Sequence, residues 1–366
     1  MAEMITVLLP VFNGQDTIAE SLESVLAQTY RDFHVLVLDD GSTDRTAEIV
    51  ADFARRDSRI QHVHKANSGL VDTLNLGLEM NRSEFIARQD ADDLSRPDRF
   101  ETQLRILRES PDVVAVSGGH LHINGAGDVT GEGFVYENPT DSDFVLMPHR
   151  EPYLPHPFLM VRKSAMDAVG GGYRHVVHSE DTDLYWRLRD VGNLVNTRQI
   201  LGSYRVHENS ISANSIKSGR IQAVYSQMAG LSAIRRWTGQ PDIEFPPGAL
   251  EHLKGLTTLA EIADFASAGL SDAERANLRG CAAAKLLELL TFRKYLPDEA
   301  DIRFIRKNLR SRNGLYDSYR KSKRELGKRQ MYMVRRLWNE GQKPLAARTY
   351  IRLFRNIVLR RRRSRR

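Results

Sequence analysis

Cysteine is almost absent from this chain of 366 residues. Cys281 stands alone, so no intrachain disulfide can form and nothing argues for an oxidising compartment. No uncharged apolar run approaches the roughly 18 residues of a membrane-spanning helix. The opening Met-Ala-Glu-Met-Ile-Thr lacks the basic stretch and long apolar stretch of an export signal. These absences point to a cytoplasmic protein. Acidic residues are scarce at one end only. Residues 301–366 hold 23 Lys and Arg against 4 Asp and Glu, a net +19, which leaves −13 on residues 1–300 of a chain whose total is +6. An acidic body with a strongly basic end suggests two jobs. The hydrophobic content of 41% and charged content of 27% are those of an ordinary soluble globular protein. The length exceeds that of one usual compact domain.

Apolar runs and helical spacing alternate over the first third of the chain. Strands are expected at Ile5–Pro10, Phe33–Leu38, Ile60–His64, Phe85–Ala87 and Val113–Val116. Helices are expected at Thr17–Gln28, from Ser42 or Thr43 as cap, after Asn67-Ser68-Gly69, and at Pro97–Glu109. This order predicts a mostly parallel sheet with helices on both faces. After Gly118 the pattern fades. His156 to Val161 reads as a strand with a histidine at its entrance, Ile200–Val206 as another, and Glu180 as a helix start. From about Gly219 the composition turns helical, with runs at 221–237, 248–268, 272–292, 299–310 and 329–349. The division expected is 1–218 for the α/β domain, 219–349 for a helical region and 350–366 for a basic amphipathic tail.

In an open parallel sheet, ligands sit beyond the carboxyl ends of the strands. Three such ends here carry Pro10-Val-Phe-Asn13, Asp39-Asp40 and Asp90-Ala-Asp-Asp93. Carboxylates crowded at a strand end repel one another unless a cation is bound, and carboxylate oxygens suit Mg²⁺ or Mn²⁺. A solvated acidic turn before a helix is the alternative. Glu180 and Asp181 have a similar double reading, since acids in a first helical turn also serve as dipole partners. Gly170-Gly-Gly172 is flexible backbone of the kind that allows close approach to a ligand.

The ordered set Leu9-Pro-Val-Phe-Asn13, Ser24-Val-Leu-Ala-Gln-Thr29, Leu38-Asp-Asp-Gly-Ser-Thr-Asp44, Asn67-Ser-Gly69, Asp90-Ala-Asp-Asp93, Gly171-Gly-Tyr173, Glu180-Asp181 and Tyr204-Arg-Val-His207 closely resembles the inverting family 2 glycosyltransferases of GT-A fold, over about residues 4–215. The resemblance implies a sugar-nucleotide donor, most often a UDP-sugar, and Mn²⁺ or Mg²⁺. It implies donor contacts from Pro10, Phe12, Asn13, Asp39, Ser68, Asp90 and Ala91, with the backbone near Pro10 and the Asp39 side chain holding uracil or ribose. It implies Asp92 as the first metal ligand, and His207 as a further metal or diphosphate contact unless it is a core histidine. The resemblance implies Asp181 as the general base. Glu180, His156 and Gly172 line or support the acceptor, and Gln89 and Asp93 are family variants beside the D-x-D pair. The acceptor implied is a glycan or lipid-linked glycan in cell-surface polysaccharide or glycolipid synthesis.

Two other functions compete. A sugar nucleotidyltransferase needs a glycine-rich loop with a basic residue after the first strand, and Val11-Phe-Asn-Gly-Gln-Asp has none. A non-enzymatic nucleic-acid or membrane binder would use the arginine-rich end of a chain whose pI is about 9.4. The acidic body and the apolar residues interleaved in the tail (Ile351, Phe354, Ile357 and Val358 among Arg352, Arg355 and Arg360–Arg363) favour an anionic membrane surface over nucleic acid. The expectation is therefore a peripheral protein on the inner membrane face.

Overall fold

A computed structural model describes residues 4–131, 133–139, 143–206, 215–309 and 316–363, with side chains omitted for 316–320 and 354–363. The chain divides into two compact units: Met1–Ser142, Pro152–His175 and Glu180–His207 in the first, Asp143–Glu151, Val176–Ser179 and Glu208–Arg366 in the second.

The first unit is built on an eight-stranded sheet. Its strands are β1 (Ile5–Val11), β2 (Phe33–Asp39), β3 (Ile60–His64), β4 (Phe85–Arg88), β5 (Leu94–Ser95), β6 (Val113–Ile123), β7 (Met160–Arg162) and β8 (Asn193–Arg205), in the order β3-β2-β1-β4-β7-β6-β8-β5. The helices α1 (Ile18–Leu26), α2 (Thr46–Arg56), α3 (Leu70–Met80), α4 (Arg99–Glu109), α5 (Lys163–Ala168) and α6 (Glu180–Leu188) complete it. Every residue of β1 is buried, as expected of a strand covered on both faces. Its alternate side chains Ile5, Val7, Leu9 and Val11 enter a core with Leu22, Val25, Val50, Phe53 and Leu104 of α1, α2 and α4. Leu8 joins the opposite core with Leu36, Leu38, Leu74 and Leu184. The β3-β2-β1-β4 block is parallel. β7 runs antiparallel between β4 and β6, and β6 pairs β8 in parallel.

Several boundaries differ from the sequence reading for local reasons. Ser42 and Thr43 do not cap α2, which starts at Thr46; the Ser42 hydroxyl accepts the Asn13 N–H at 2.9 Å, and the Thr43 N–H donates to Asn13 Oδ1 at 2.8 Å. His156–Phe158 is a single 3₁₀ turn rather than strand, because Pro157 has no N–H for a ladder. The two-residue β5 carries no readable pattern, yet it pins the loop after β4 to β8 through Ser95 opposite Gly202. A Cβ at Gly202 would lie 2.3 Å from the Leu94 carbonyl oxygen, so that pairing requires glycine.

The second unit is helical: α7 (Ile216–Trp237), α8 (Ala249–Lys254), α9 (Leu259–Ala266), α10 (Asp272–Leu289), α11 (Glu299–Asn308), α12 (Tyr316–Asn339) and α13 (Lys343–Arg363). The 248–268 run is two helices, the second opened by a Thr258–Glu261 capping box. The 329–349 run breaks at Gly341, whose φ is +81°. Buried Val224, Met228, Leu231, Leu278, Leu286 and Ile305 form the core, which Leu353 of α13 partly joins.

Candidate active site

The carboxyl ends of β1, β2 and β4 lie side by side, since β1 is hydrogen-bonded to both neighbours. Val11 is in register with Asp39, and Asp39 with His64 of β3. Pro10 is buried within β1, while Phe12 just beyond it is 53% exposed. Asn13 adopts φ +50°, a left-handed geometry that asparagine tolerates. Its side chain closes the β1 loop onto the loop after β2.

Asp39 is fully buried. One carboxylate oxygen accepts the Ser42 N–H at 2.9 Å and the other meets His64 Nδ1 at 2.8 Å. Burial raises its pKa, but the Ser42 and His64 hydrogen bonds outweigh that and hold it below the ordinary carboxylate value. Asp40 faces the opposite way and organises the third loop. It accepts the Ser68 and Gly69 N–H groups at 2.9 Å each and pairs with Lys65, which also donates to Ser68 Oγ at 2.6 Å. Ser68 thus sits in a braced loop beside the Asp39 strand end.

Beyond β4 the carboxylates of Asp90, Asp92 and Asp93 lie within 4.8 Å of one another. Asp90 receives Arg88 at 2.5 Å. Asp93 is fully buried; one of its oxygens accepts the Arg205 N–H at 2.8 Å and the other has no hydrogen-bond partner. Burial, with the Asp90 and Asp92 charges added, pushes the Asp93 carboxyl well above the usual range. The Arg205 side chain is also buried. It donates to the Asp92 carbonyl at 2.8 Å, to the Asn124 and Gly125 carbonyls at 3.2 and 2.9 Å, and to Glu20 at 2.5 Å.

The turn is held from behind as well. Gln89 donates to the Asp93 carbonyl at 2.7 Å and accepts from Ser95 at 2.7 Å and from the buried Arg99 at 2.9 Å. From α1, Ser21 donates to the Asp90 carbonyl at 2.9 Å, Ser24 accepts the Ser95 N–H at 3.0 Å, and Gln28 donates to the Arg96 carbonyl at 2.6 Å. The Ser24–Thr29 motif is therefore scaffolding for the acidic turn. Ala91 is half-buried within that turn and packs on the α1 side of the core.

Glu180 and Asp181 open α6. Asp181 accepts the Thr182 N–H at 2.6 Å. Burial, then the Asp181 charge, raises Glu180 to about 7, and the Arg88 and Asp90 charges bear on it too. The α6 start and the β4 turn thus share one electrostatic environment. His156 meets the Tyr173 hydroxyl at 2.8 Å, and burial followed by the Arg88 charge keeps its imidazole well below the ordinary histidine value. Gly170 and Gly171 take positive φ. The close approach at Gly172 is to Asn75, whose Oδ1 would lie 2.7 Å from a Cβ there. His207 lies outside the described residues.

Sequence reasoning overlooked Arg88, Arg205 and Gln89 as organisers of the acidic turn. A cation inside a strand pattern, as at Arg88 after Phe85-Ile-Ala87 or Arg205 within Ile200–Val206, is the signal that would have found them, because a buried charge requires partners.

The sheet, with an acidic turn at the carboxyl ends of its strands, is that of a ligand-binding α/β core. The family model "Glycosyl transferase family 2" matches residues 6–170. The putative glycosyltransferase EpsE of Bacillus subtilis is 34% identical over 212 residues, covering 56% of this chain and 73% of that protein. An uncharacterized glycosyltransferase of Rickettsia conorii is 40% identical over 106 residues, 29% of this chain; the match spans only 17% of that relative's length. Among solved structures, Staphylococcus aureus TarS residues 1–349 in complex with UDP aligns with a TM-score of 0.52 at 15% identity, covering 88% of this chain and 91% of that one. The chain belongs to glycosyl transferase family 2. Its fold is the GT-A fold, with a helical C-terminal region.

Proposed function

We propose that this enzyme moves a sugar from a nucleotide-diphosphate donor, a UDP-sugar, to an acceptor hydroxyl with inversion at the anomeric carbon. The observation that carries the reading is the convergence of Asp39 and of Asp90, Asp92 and Asp93 at strand ends flanking β1. TarS, which shares the fold, is solved with UDP.

The acidic turn fits a divalent cation. Its donor set is all oxygen, as Mg²⁺ and Mn²⁺ prefer, and one Asp93 oxygen is buried without a hydrogen-bond partner. Asp90 and Asp92 would hold the ion, with Asp93 behind them and His207 as a further contact. When bound, the cation supplies Lewis-acid neutralisation of the charge that develops on the departing diphosphate.

The remaining work falls to side chains of the chain itself. Asp39 binds uracil or ribose, with its carboxylate fixed by Ser42 and His64; Pro10, Phe12, Asn13, Ser68 and Ala91 line the same donor subsite. Arg205 holds the Asp92 backbone and thereby the turn's shape. Asp181 takes the proton from the acceptor hydroxyl as it attacks. Burial and the Asp181 charge raise the Glu180 carboxyl beside it to about 7. A single base with one displacement yields inversion, with no second carboxylate as nucleophile. His156 and Gly172 support the acceptor side through Tyr173 and Asn75. Asp181→Asn should leave nucleotide binding nearly intact and cut transfer by ~10²-fold or more; near wild-type transfer would remove Asp181 from the mechanism.

The acceptor is a glycan or lipid-linked glycan, reached at the inner membrane face. No described helix is long and apolar enough to cross a membrane, so attachment is assigned to the end of α13. Ile351 is 60% exposed there. Arg348 and Arg352 lie 3.9 and 3.7 Å from Glu299; the arginine cluster that follows in the sequence is assigned to anionic head groups.

A further inference from the structure

A second group of cation ligands, chemically unlike the acidic turn, lies at the β2–β3 strand ends. His62 and His64 are two residues apart on β3, so the strand's period of two projects both imidazoles from one side. Register sets His64 opposite Asp39. Asp39 Oδ2 stands 2.8 Å from His64 Nδ1 and 3.7 Å from His62 Nε2, and one ligand atom from each residue falls within 4.8 Å of the others. His62 Nε2 is buried and has no hydrogen-bond partner, so the group leaves an imidazole nitrogen unsatisfied.

Geometry and donor type select the ion. Bonds of ~2.0–2.1 Å in a tetrahedral zinc site separate neighbouring ligands by roughly 3.3 Å. The 2.8 and 3.7 Å separations bracket that value, so small side-chain rotations complete the set. Two imidazole nitrogens with one carboxylate suit Zn²⁺ rather than Mg²⁺. Ser42 fixes the other Asp39 oxygen, supplying the outer-shell support that metal ligands require. The His64 side chain is 53% exposed and provides the way in.

We propose that Asp39, His62 and His64 form a Zn²⁺ site, separate from the acidic turn, with three protein ligands and an open fourth position. Zinc takes the place of the proton shared by His64 and Asp39. Because Asp39 is then committed to the metal, a filled site excludes the nucleotide base; this competition rests on the donor-binding role given to Asp39 above.

The test is Zn²⁺ binding by calorimetry in excess Mg²⁺, with Co²⁺ absorption as a readout of tetrahedral coordination. Wild type is compared with His62→Ala, His64→Ala and, against loss of fold, His62→Gln and His64→Gln, each checked by circular dichroism. The site predicts one Zn²⁺ per chain, weakened by ~10²-fold or more in each variant, since even outer-shell losses cost 10–100-fold. It predicts weaker UDP binding to wild type when Zn²⁺ is present, an effect absent from the variants. Folded variants that bind Zn²⁺ and Co²⁺ as wild type does would overturn the site and leave an ordinary histidine–aspartate hydrogen bond. Site-specific Zn²⁺ binding that leaves UDP affinity unchanged would overturn the competition alone. Wild type that binds Zn²⁺ here but no nucleotide would instead contradict the donor reading.

Discussion

Replacing Arg205 with leucine separates the acidic turn from the strand that holds it. The Arg205 guanidinium is buried and reaches four acceptors, the Asp92, Asn124 and Gly125 carbonyls and the Glu20 carboxylate. Hydrogen bonds to a charged group are worth ~1.5–3 kcal/mol each, and an acceptor left buried without a partner costs ~1–3 kcal/mol. The four are not equal. Gly125 and Glu20 are exposed and Asn124 is partly so, so water replaces the arginine at these positions. The Asp92 carbonyl, inside the turn, carries most of the loss. Leucine recovers some apolar burial, and the net destabilisation expected is about 2–4 kcal/mol, near the lower part of the range for breaking a buried ion pair. Glu20→Gln, at an exposed partner, should cost less than ~1 kcal/mol. Urea unfolding compares the two variants, and calorimetry with UDP and Mn²⁺ reads the site: Arg205→Leu should weaken metal-dependent binding by ~10-fold or more, equivalent to 1.4 kcal/mol. An Arg205→Leu protein with wild-type stability and wild-type Mn²⁺-dependent UDP affinity would refute the tethering role.

Two further outcomes follow from the same geometry. Glu180 holds its proton up to about 7 in the folded protein against an ordinary 4.5, so the native state binds more protons between those values. Its contribution is complete below 4.5 and is lost as pH rises through 7. Partial exposure screens the effect to about 2 kcal/mol, so Glu180→Gln should gain that much stability relative to wild type between pH 4.5 and 8 in urea unfolding; a gap independent of pH contradicts it. For the tail, truncation after Leu353 keeps the residue that packs on the helical core and removes seven arginines, each worth about 1 kcal/mol near an anionic surface. The shortened protein should lose salt-sensitive binding to anionic liposomes while keeping its nucleotide affinity; retained liposome binding would place the contact elsewhere.

The parallel half of the sheet was legible because β1, β2 and β4 are short, largely apolar runs, the pattern of a strand buried on both faces, and acids follow β2 and β4. The acidic turn was legible for the same reason. What holds the turn was not, because Arg205 lies more than a hundred residues from Asp93, and only the pairing of β5 with β8 brings them together. The two residues of β5 offer no period to read. The α2 start was misplaced because Ser42 and Thr43 serve a contact with Asn13, which sequence spacing cannot reveal. The His62-x-His64 pair was visible within a predicted strand, but its meaning required knowing that β3 lies beside Asp39. In the helical region, Gly341 divides an apolar pattern that sequence alone reads as continuous.

The central claim is that the Asp90–Asp93 turn binds a nucleotide diphosphate through a divalent cation. Its most direct test is titration calorimetry of UDP, GDP and dTDP against wild type and Asp92→Ala, each with Mn²⁺ and with chelator. Mn²⁺-dependent tightening for one nucleotide in wild type, with UDP the one expected, should be lost in a folded Asp92→Ala protein. An Asp92→Ala protein that keeps the full metal effect, or a wild type that binds none of the three with Mn²⁺ present, would contradict the account.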